Sequence, residues 1–359
     1  STMSATRSTT LTALAVAATT ALTPAAMAQD KPFDGVTLRI GTWGGPWKES
    51  QERLIASKFA DLGGTVEFVT GSPQANMSKL FAARGQTPPI DMIEMLDATL
   101  PIMVANDLLE PIDLESVSNK AALQDFQYDD TKVASWATQE GICYDVGAYA
   151  ELGLEAPTTY GDLAAPELDA RVIIPDINSG GGLANFSAMA IAAGGDTENV
   201  APALEMIAGM GPIQFWSRGG QAVAGFETGD ILASVTHAGW CVRAHRAGAD
   251  VAFVHPTIDE DTVGVSKDGW LGIVKGTPNY QAAVWYVNEF LDPTFQSDFA
   301  VKSGVVPVNG NSLATVGEDP LLAEMFELDP ETIGQQLRID YSTVDIGEWT
   351  DQWSRSVTQ

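Results

Sequence analysis

The stretch that most constrains this chain runs from Val36 to Phe59. Val36, Leu38 and Ile40 alternate with polar neighbours, the period of a strand with one buried face. The strand enters Gly41-Thr42-Trp43-Gly44-Gly45-Pro46-Trp47, after which Leu54, Ile55 and Phe59 recur at helical spacing. Strand, Gly-rich turn and helix in that order make the opening of a parallel α/β sheet. Open sheets of this kind hold ligands just past the C-terminal ends of their strands. Trp43 and Trp47 are therefore either a hydrophobic plug or one wall of a pocket. Gly44 and Gly45 allow close backbone approach and Pro46 stiffens the turn, which favours the wall.

The same order repeats along the chain. Residues 65–70 read as a strand, 74–84 as a short amphipathic helix, 90–95 as a strand ending in Leu96-Asp97-Ala98-Thr99, and 99–106 as a helix. A polar loop is expected before a strand at 141–145. Further strands are expected at 171–175, 213–216, 231–236, 251–254 and 269–274. Helices are expected at 183–193, 199–209, 219–228 and 279–291, with His237-Ala238-Gly239-Trp240 as a loop. Trp349 and Trp353, at i and i+4, suit a C-terminal helix packed on the second half. A chain of 359 residues has room for two domains. No flexible linker separates the halves, so strands crossing between them are the expected connection.

Composition excludes some partners. Forty-seven acidic against 19 basic residues give a net charge of −28, which disfavours nucleic acid and anionic membranes. Residues 1–28 read as a secretion signal: Arg7, a short Ala-rich apolar stretch from Leu11 to Leu22, and Ala26-Met27-Ala28 as an A-x-A cleavage pattern. Cleavage after Ala28 would export a soluble protein with no membrane span. Cys143 and Cys241, the two cysteines, form either one disulfide or two buried thiols. Neither has a second ligand at metal spacing, so no metal and no cofactor is expected. The three histidines fall in no H-E-x-x-H pattern, and neither G-x-S-x-G nor a Walker motif occurs, so an enzyme such as a secreted hydrolase is a remote alternative.

Several segments together resemble a known family. They are Ile40 to Gly45, Asp91 to Asp97, Asn106 to Asp113, Thr236 to Trp240, Trp270 to Val274 with Ala282 to Leu291, Gln296 to Ala300, and Gly304 to Val308. They are similar to periplasmic solute-binding proteins of ABC importers, in the spermidine/putrescine-binding branch, over roughly residues 35 to 310. The resemblance implies a two-lobe α/β fold of type II, with parallel-rich sheets flanked by helices and a hinge of crossing strands. Lobe 1 would comprise residues 29–140 and 268–308, and lobe 2 residues 141–267 and 309–359. It implies no catalysis, hinge closure on a small organic ligand, a membrane permease as partner, a periplasmic location and a monomer.

The resemblance also suggests roles for single positions. Trp43 and Trp47 fit the aromatic wall of the first lobe, and Asp97 a loop facing the cleft. His237 falls where the family has a stacking Trp. At the hinge strand the family has an aromatic residue and then, two positions on, an amine-binding Asp; here Asp268 and Trp270 stand in the reverse order. The residues themselves add Ser179 and Gly180, in a Ser-Gly-Gly-Gly turn opening a helix. Such a turn is either plain or a cradle of N–H groups for an anion. Arg218 would support the anion reading. Asp176 would hold an amine or cap the helix at Ser179, and Trp240 belongs equally to core or pocket. A small amine-containing, polyamine-like solute is the first expectation; a zwitterion, aminophosphonate, amino acid, carboxylate or thiamine is the alternative.

Overall fold

The structure is a computed structural model that describes Thr2 and residues 30–357. The apolar stretch and cleavage point of the expected leader lie outside the described residues.

In chain order the strands are β1 (Thr37–Thr42), β2 (Thr65–Thr70), β3 (Met92–Leu96), β4 (Leu109–Glu110), β5 (Val133–Asp145), β6 (Val172–Pro175), β7 (Gln214–Trp216), β8 (Ala233–His237), β9 (Val251–Val254) and β10 (Val265–Val274). They pair in the order β2-β1-β3-β10-β5-β8-β6-β7, with β4 on β10 and β9 on β5. β1 is parallel to β2 and β3, and β6 is parallel to β7 and β8. Each parallel group is built by helical crossovers, as alternation of strand and helix requires. Helices 46–61 and Pro73–Ala82 serve the first group, and Gly182–Ala192, Ala201–Met210 and Gly220–Thr228 the second.

The two long strands β5 and β10 hold the halves together. They run antiparallel from Val265 opposite Glu140 to Leu271 opposite Val133. β10 also pairs with β3 and β4, and β5 with β8 and β9. The crossing strands thus form one ladder, interrupted by a register shift between Gly269 and Trp270.

Two local expectations are corrected here. The polar loop before Gly141 is the first half of β5, which starts at Val133. Its Thr138, Gln139 and Glu140 hide the strand period, yet all three are buried. Gln139 exchanges hydrogen bonds with the Glu327 backbone at 2.8 and 2.9 Å, and Thr138 donates to Glu140 at 3.0 Å. Likewise, His237-Ala238-Gly239-Trp240 is no loop. His237 caps the helix Ala238–Arg246, its Nδ1 accepting from the Gly239 amide at 3.1 Å. Any side chain at Gly239 would put its Cβ 2.1 Å from the Gly304 carbonyl oxygen, so only glycine lets this helix start here.

The first half packs Leu38, Ile40, Ile55, Phe59, Met92, Phe290 and Phe299 into a common core, and the second packs Tyr160, Val172, Phe186, Ile207 and Val235. Trp349 and Trp353, from the helix Ile346–Ser356, close the second core against Phe186. Cys143 and Cys241 are bonded, tying β5 to the helix Ala238–Arg246. The C-terminal chain first packs Gly310–Val316 on Pro293–Ser303, then runs along the hinge. There the Ser266 amide donates to the Leu337 carbonyl at 2.9 Å and the Leu337 amide to the Gly264 carbonyl at 3.0 Å.

Candidate functional site

Both parallel groups point the C-terminal ends of their strands at one cavity of about 650 Å³. Its first wall carries Trp43 after β1, Ser72 to Gln74 after β2, and Leu96 to Thr99 after β3. The second wall carries Ile177 to Gly180 after β6 and His237 at the end of β8. Thr138 and Lys267 from the hinge strands form its floor, and Tyr341, Ile346 and Thr350 close it from the C-terminal chain. The site is thus the place that a strand-helix alternation favours for a ligand.

The first wall is aromatic. The Trp43 and Trp47 rings lie 5.5 Å apart, and Trp136 of β5 sits 5.8 Å from Trp43 and 5.2 Å from Trp47. These inclined, edge-on contacts lock the rings against one another. Behind them Glu94 is fully buried. It accepts from the Trp136 indole at 3.1 Å and from the Thr42 hydroxyl, while Gln51 approaches at 3.5 Å. Burial dominates these donors and pushes the Glu94 carboxyl up to about 7.

Asp97 is the acidic side chain on the cavity surface. The Trp270 indole donates to its Oδ1 at 2.6 Å, and the Asp268 amide to its Oδ2 at 2.9 Å. Burial first, then the neighbouring Asp268 carboxylate, push Asp97 up to about 7; its two donors and Lys132 act the other way. An ammonium group arriving from the cavity would favour the charged form.

The opposite wall is arranged for the other sign. Lys267 donates to the Gly180 carbonyl at 2.6 Å and stands 3.9 Å from buried Glu140. Asn185 fastens Glu140 at 3.0 Å and the Gly181 carbonyl at 2.9 Å. Among the described residues, the amides of Gly180, Gly181, Leu183 and Ala184 have no backbone or side-chain acceptor, as expected of the first turn of Gly182–Ala192. His237 stays neutral: burial, then Lys267 and Arg243, hold it well below the usual histidine range. Because its Nδ1 accepts a hydrogen bond, its proton sits on Nε2.

Of the residues singled out in the sequence, Trp43, Trp47, Asp97, Ser179, Gly180 and His237 line this cavity together. The other four lie outside its lining. Trp270 is buried behind Asp97. Trp240 carries Arg243 over its ring at 4.3 Å. Arg218 is exposed, its amide bonded to Gln221 at 3.0 Å. Asp176 braces the Ser-Gly-Gly-Gly turn, its carbonyl accepting from the Ser179 hydroxyl at 2.7 Å. Sequence reasoning passed over Trp136, Thr138, Lys267 and Tyr341. A run buried on both faces would have revealed the first two; Tyr341 carries no local signal. No group of His, Cys, Asp and Glu among the described residues is placed to hold a metal ion.

The chain is a member of the bacterial extracellular solute-binding protein family, whose profile matches residues 19–324. Solved structures with the same fold include an ABC transporter protein from Clostridium perfringens, with TM-score 0.74 and 20% identity over 89% of this chain and 100% of that one. A GABA receptor superposes with TM-score 0.69 and 18% identity over 89% and 94%. A spermidine/putrescine ABC transporter protein from Listeria monocytogenes does so with TM-score 0.67 and 18% identity over 88% and 97%. No curated protein matches in sequence. By its family membership the chain is an extracellular solute-binding protein. No helix among the described residues is long and apolar enough to cross a membrane.

Proposed function

We propose that this protein is the periplasmic receptor that delivers a small zwitterionic solute to the permease of an ABC importer. The observation that carries this reading is the division of charge across the cavity. Asp97 stands on one wall and the open amides around Gly180 on the other, with Lys267 reaching from the floor to the Gly180 carbonyl. The ammonium of the solute meets Asp97, and its acidic group meets the turn and Lys267. Its apolar middle packs on Trp43 and Trp47, and cation–π attraction adds to the ammonium contact. A cavity of about 650 Å³ suits one small organic molecule enclosed by hinge closure.

A second reading, a plain amine such as a polyamine, is favoured by one observation. The charge of Lys267 is already compensated by Glu140 and the Gly180 carbonyl. The GABA and spermidine/putrescine neighbours represent these two ligand classes.

The test is a thermal-shift screen with ω-amino acids, α-amino acids, aminophosphonates, putrescine, spermidine and simple carboxylates. A ligand at 100 times its Kd stabilises the folded state by about 2.7 kcal/mol, a rise of several degrees. Shifts with zwitterions alone support the proposal. Shifts with putrescine of equal size, unaffected by Lys267→Met, replace it with the amine reading. Shifts with simple carboxylates alone refute both.

A further inference from the structure

The hinge carries an ion pair that none of the roles above uses. Arg338 donates from Nε to Asp268 Oδ2 at 2.9 Å, and both side chains are largely buried. Ser266 bonds the other Asp268 oxygen at 3.0 Å. Arg338 is itself fixed: it donates to the Ile333 carbonyl at 2.8 Å and lies 4.4 Å over the Phe126 ring. The segment that brings it is bridged to β10 where Leu337 meets Val265. Asp268 in turn holds Asp97 through its own amide. The guanidinium, the Asp268 carboxylate and the cavity carboxylate thus follow one another in a chain of contacts.

We infer that Arg338 is a positioning residue for solute binding, balancing Asp268 so that Asp97 can remain charged and ready for the ligand ammonium. The inference rests on the assignment of Asp97 as the ammonium partner. Two carboxylates held by adjacent atoms in a poorly solvated hinge oppose each other's ionisation. A cation on the far side of one of them relieves that opposition without entering the cavity. The other groups that face Asp97 are few. Lys132 lies 4.2 Å over the Trp270 ring, Lys267 and Tyr341 line the same cavity, and Trp270 donates directly. Among the described residues, Arg338 is the only cation in ion-pair contact with Asp268. A distant part of the chain thereby sets the electrostatics of the cleft.

The test follows the Trp270 indole N–H by NMR in the ligand-free protein from pH 4 to 9, with Trp270→Phe assigning the signal. Because this proton is donated to Asp97, its shift reports the ionisation of that carboxyl. Arg338→Met should raise the inflection by about one pH unit, and Asp268→Asn should lower it by a similar amount. Arg338→Lys, which keeps the charge, should stay near the parent value. The double variant Arg338→Met with Asp268→Asn should follow Asp268→Asn alone. An inflection unmoved by Arg338→Met overturns the inference. So does an equal upward shift in Arg338→Met and the double variant, since lost packing and not charge would then be the cause. No ligand is present, so the result is separate from the identity of the solute.

Discussion

The indole of Trp136 donates to Glu94 at 3.1 Å, joining the aromatic wall of the cleft to a carboxyl that has no access to solvent. This links the shape of the binding wall to the stability of the first core. Gln51 extends the link, since it donates to Thr42 at 3.1 Å and accepts from the Tyr286 hydroxyl at 2.7 Å.

Glu94 should make the protein less stable as the pH rises. Its folded-state pKa, raised to about 7 from 4.5, means that the folded form binds the proton more tightly than the unfolded form. Stability is therefore full below the unfolded value and falls as pH climbs through about 7. The loss attributable to Glu94 is at most about 3.5 kcal/mol, from about 1.4 kcal/mol per pH unit. Urea melts between pH 5 and 8 should show the decline, and Glu94→Gln should flatten part of it. An unchanged slope in Glu94→Gln would place the pH dependence elsewhere.

Asp97 should make ligand binding depend on pH in the opposite sense. A proton and an ammonium group compete for the same carboxylate, which titrates near 7 in the ligand-free protein. Affinity for the zwitterion should rise from pH 5.5 and level off above pH 8. Asp97→Asn should weaken binding by about 10- to 100-fold, a loss expected for a charged hydrogen-bonded pair, and should remove the rise. Calorimetric titration at three pH values measures both effects.

Trp43 and Trp47 should separate affinity from stability. The Trp47 ring packs edge-on against Phe299 as well as Trp136, both at 5.2 Å, so it is tied to a core side chain. Trp47→Ala should cost about 3 kcal/mol of stability together with ligand affinity. Trp43 contacts only the other two indoles among the aromatic rings described, so Trp43→Ala should lose about tenfold in affinity with a smaller change in Tm. Paired melting and binding curves for the two variants are the measurement. Equal Tm losses would contradict this division.

The Cys143–Cys241 bond closes a loop across 98 positions and joins a hinge strand to a helix of the second half. Cys143→Ser with Cys241→Ser should lower stability by about 2–5 kcal/mol, mainly by freeing the unfolded chain. Denaturant melts of the double variant and of the reduced parent should agree with each other, both below the oxidised parent. A parent insensitive to reductant, with a destabilised double variant, would assign the effect to packing.

The sequence alone determined most of the alternation of strand and helix and the parallel groups, because these rest on local periodicity and on turns of glycine and proline; it made the family legible through the resemblance of whole segments. It also placed Trp43, Trp47, Asp97, Ser179, Gly180 and His237 at strand ends, and those positions meet in one cavity. What it left undecided depended on contacts between distant residues. Thr138, Gln139 and Glu140 in β5 are polar in sequence and buried in the fold, because Glu327 and their own neighbours bond the side chains of Gln139 and Thr138. Trp270 reads as a pocket residue from its hinge position, yet its indole is spent on Asp97. The state of the cysteines, the approach of Tyr341 and the Arg338–Asp268 pair were likewise settled only by the tertiary structure. Each joins segments with no common period, so hydrophobic patterning carries no record of them.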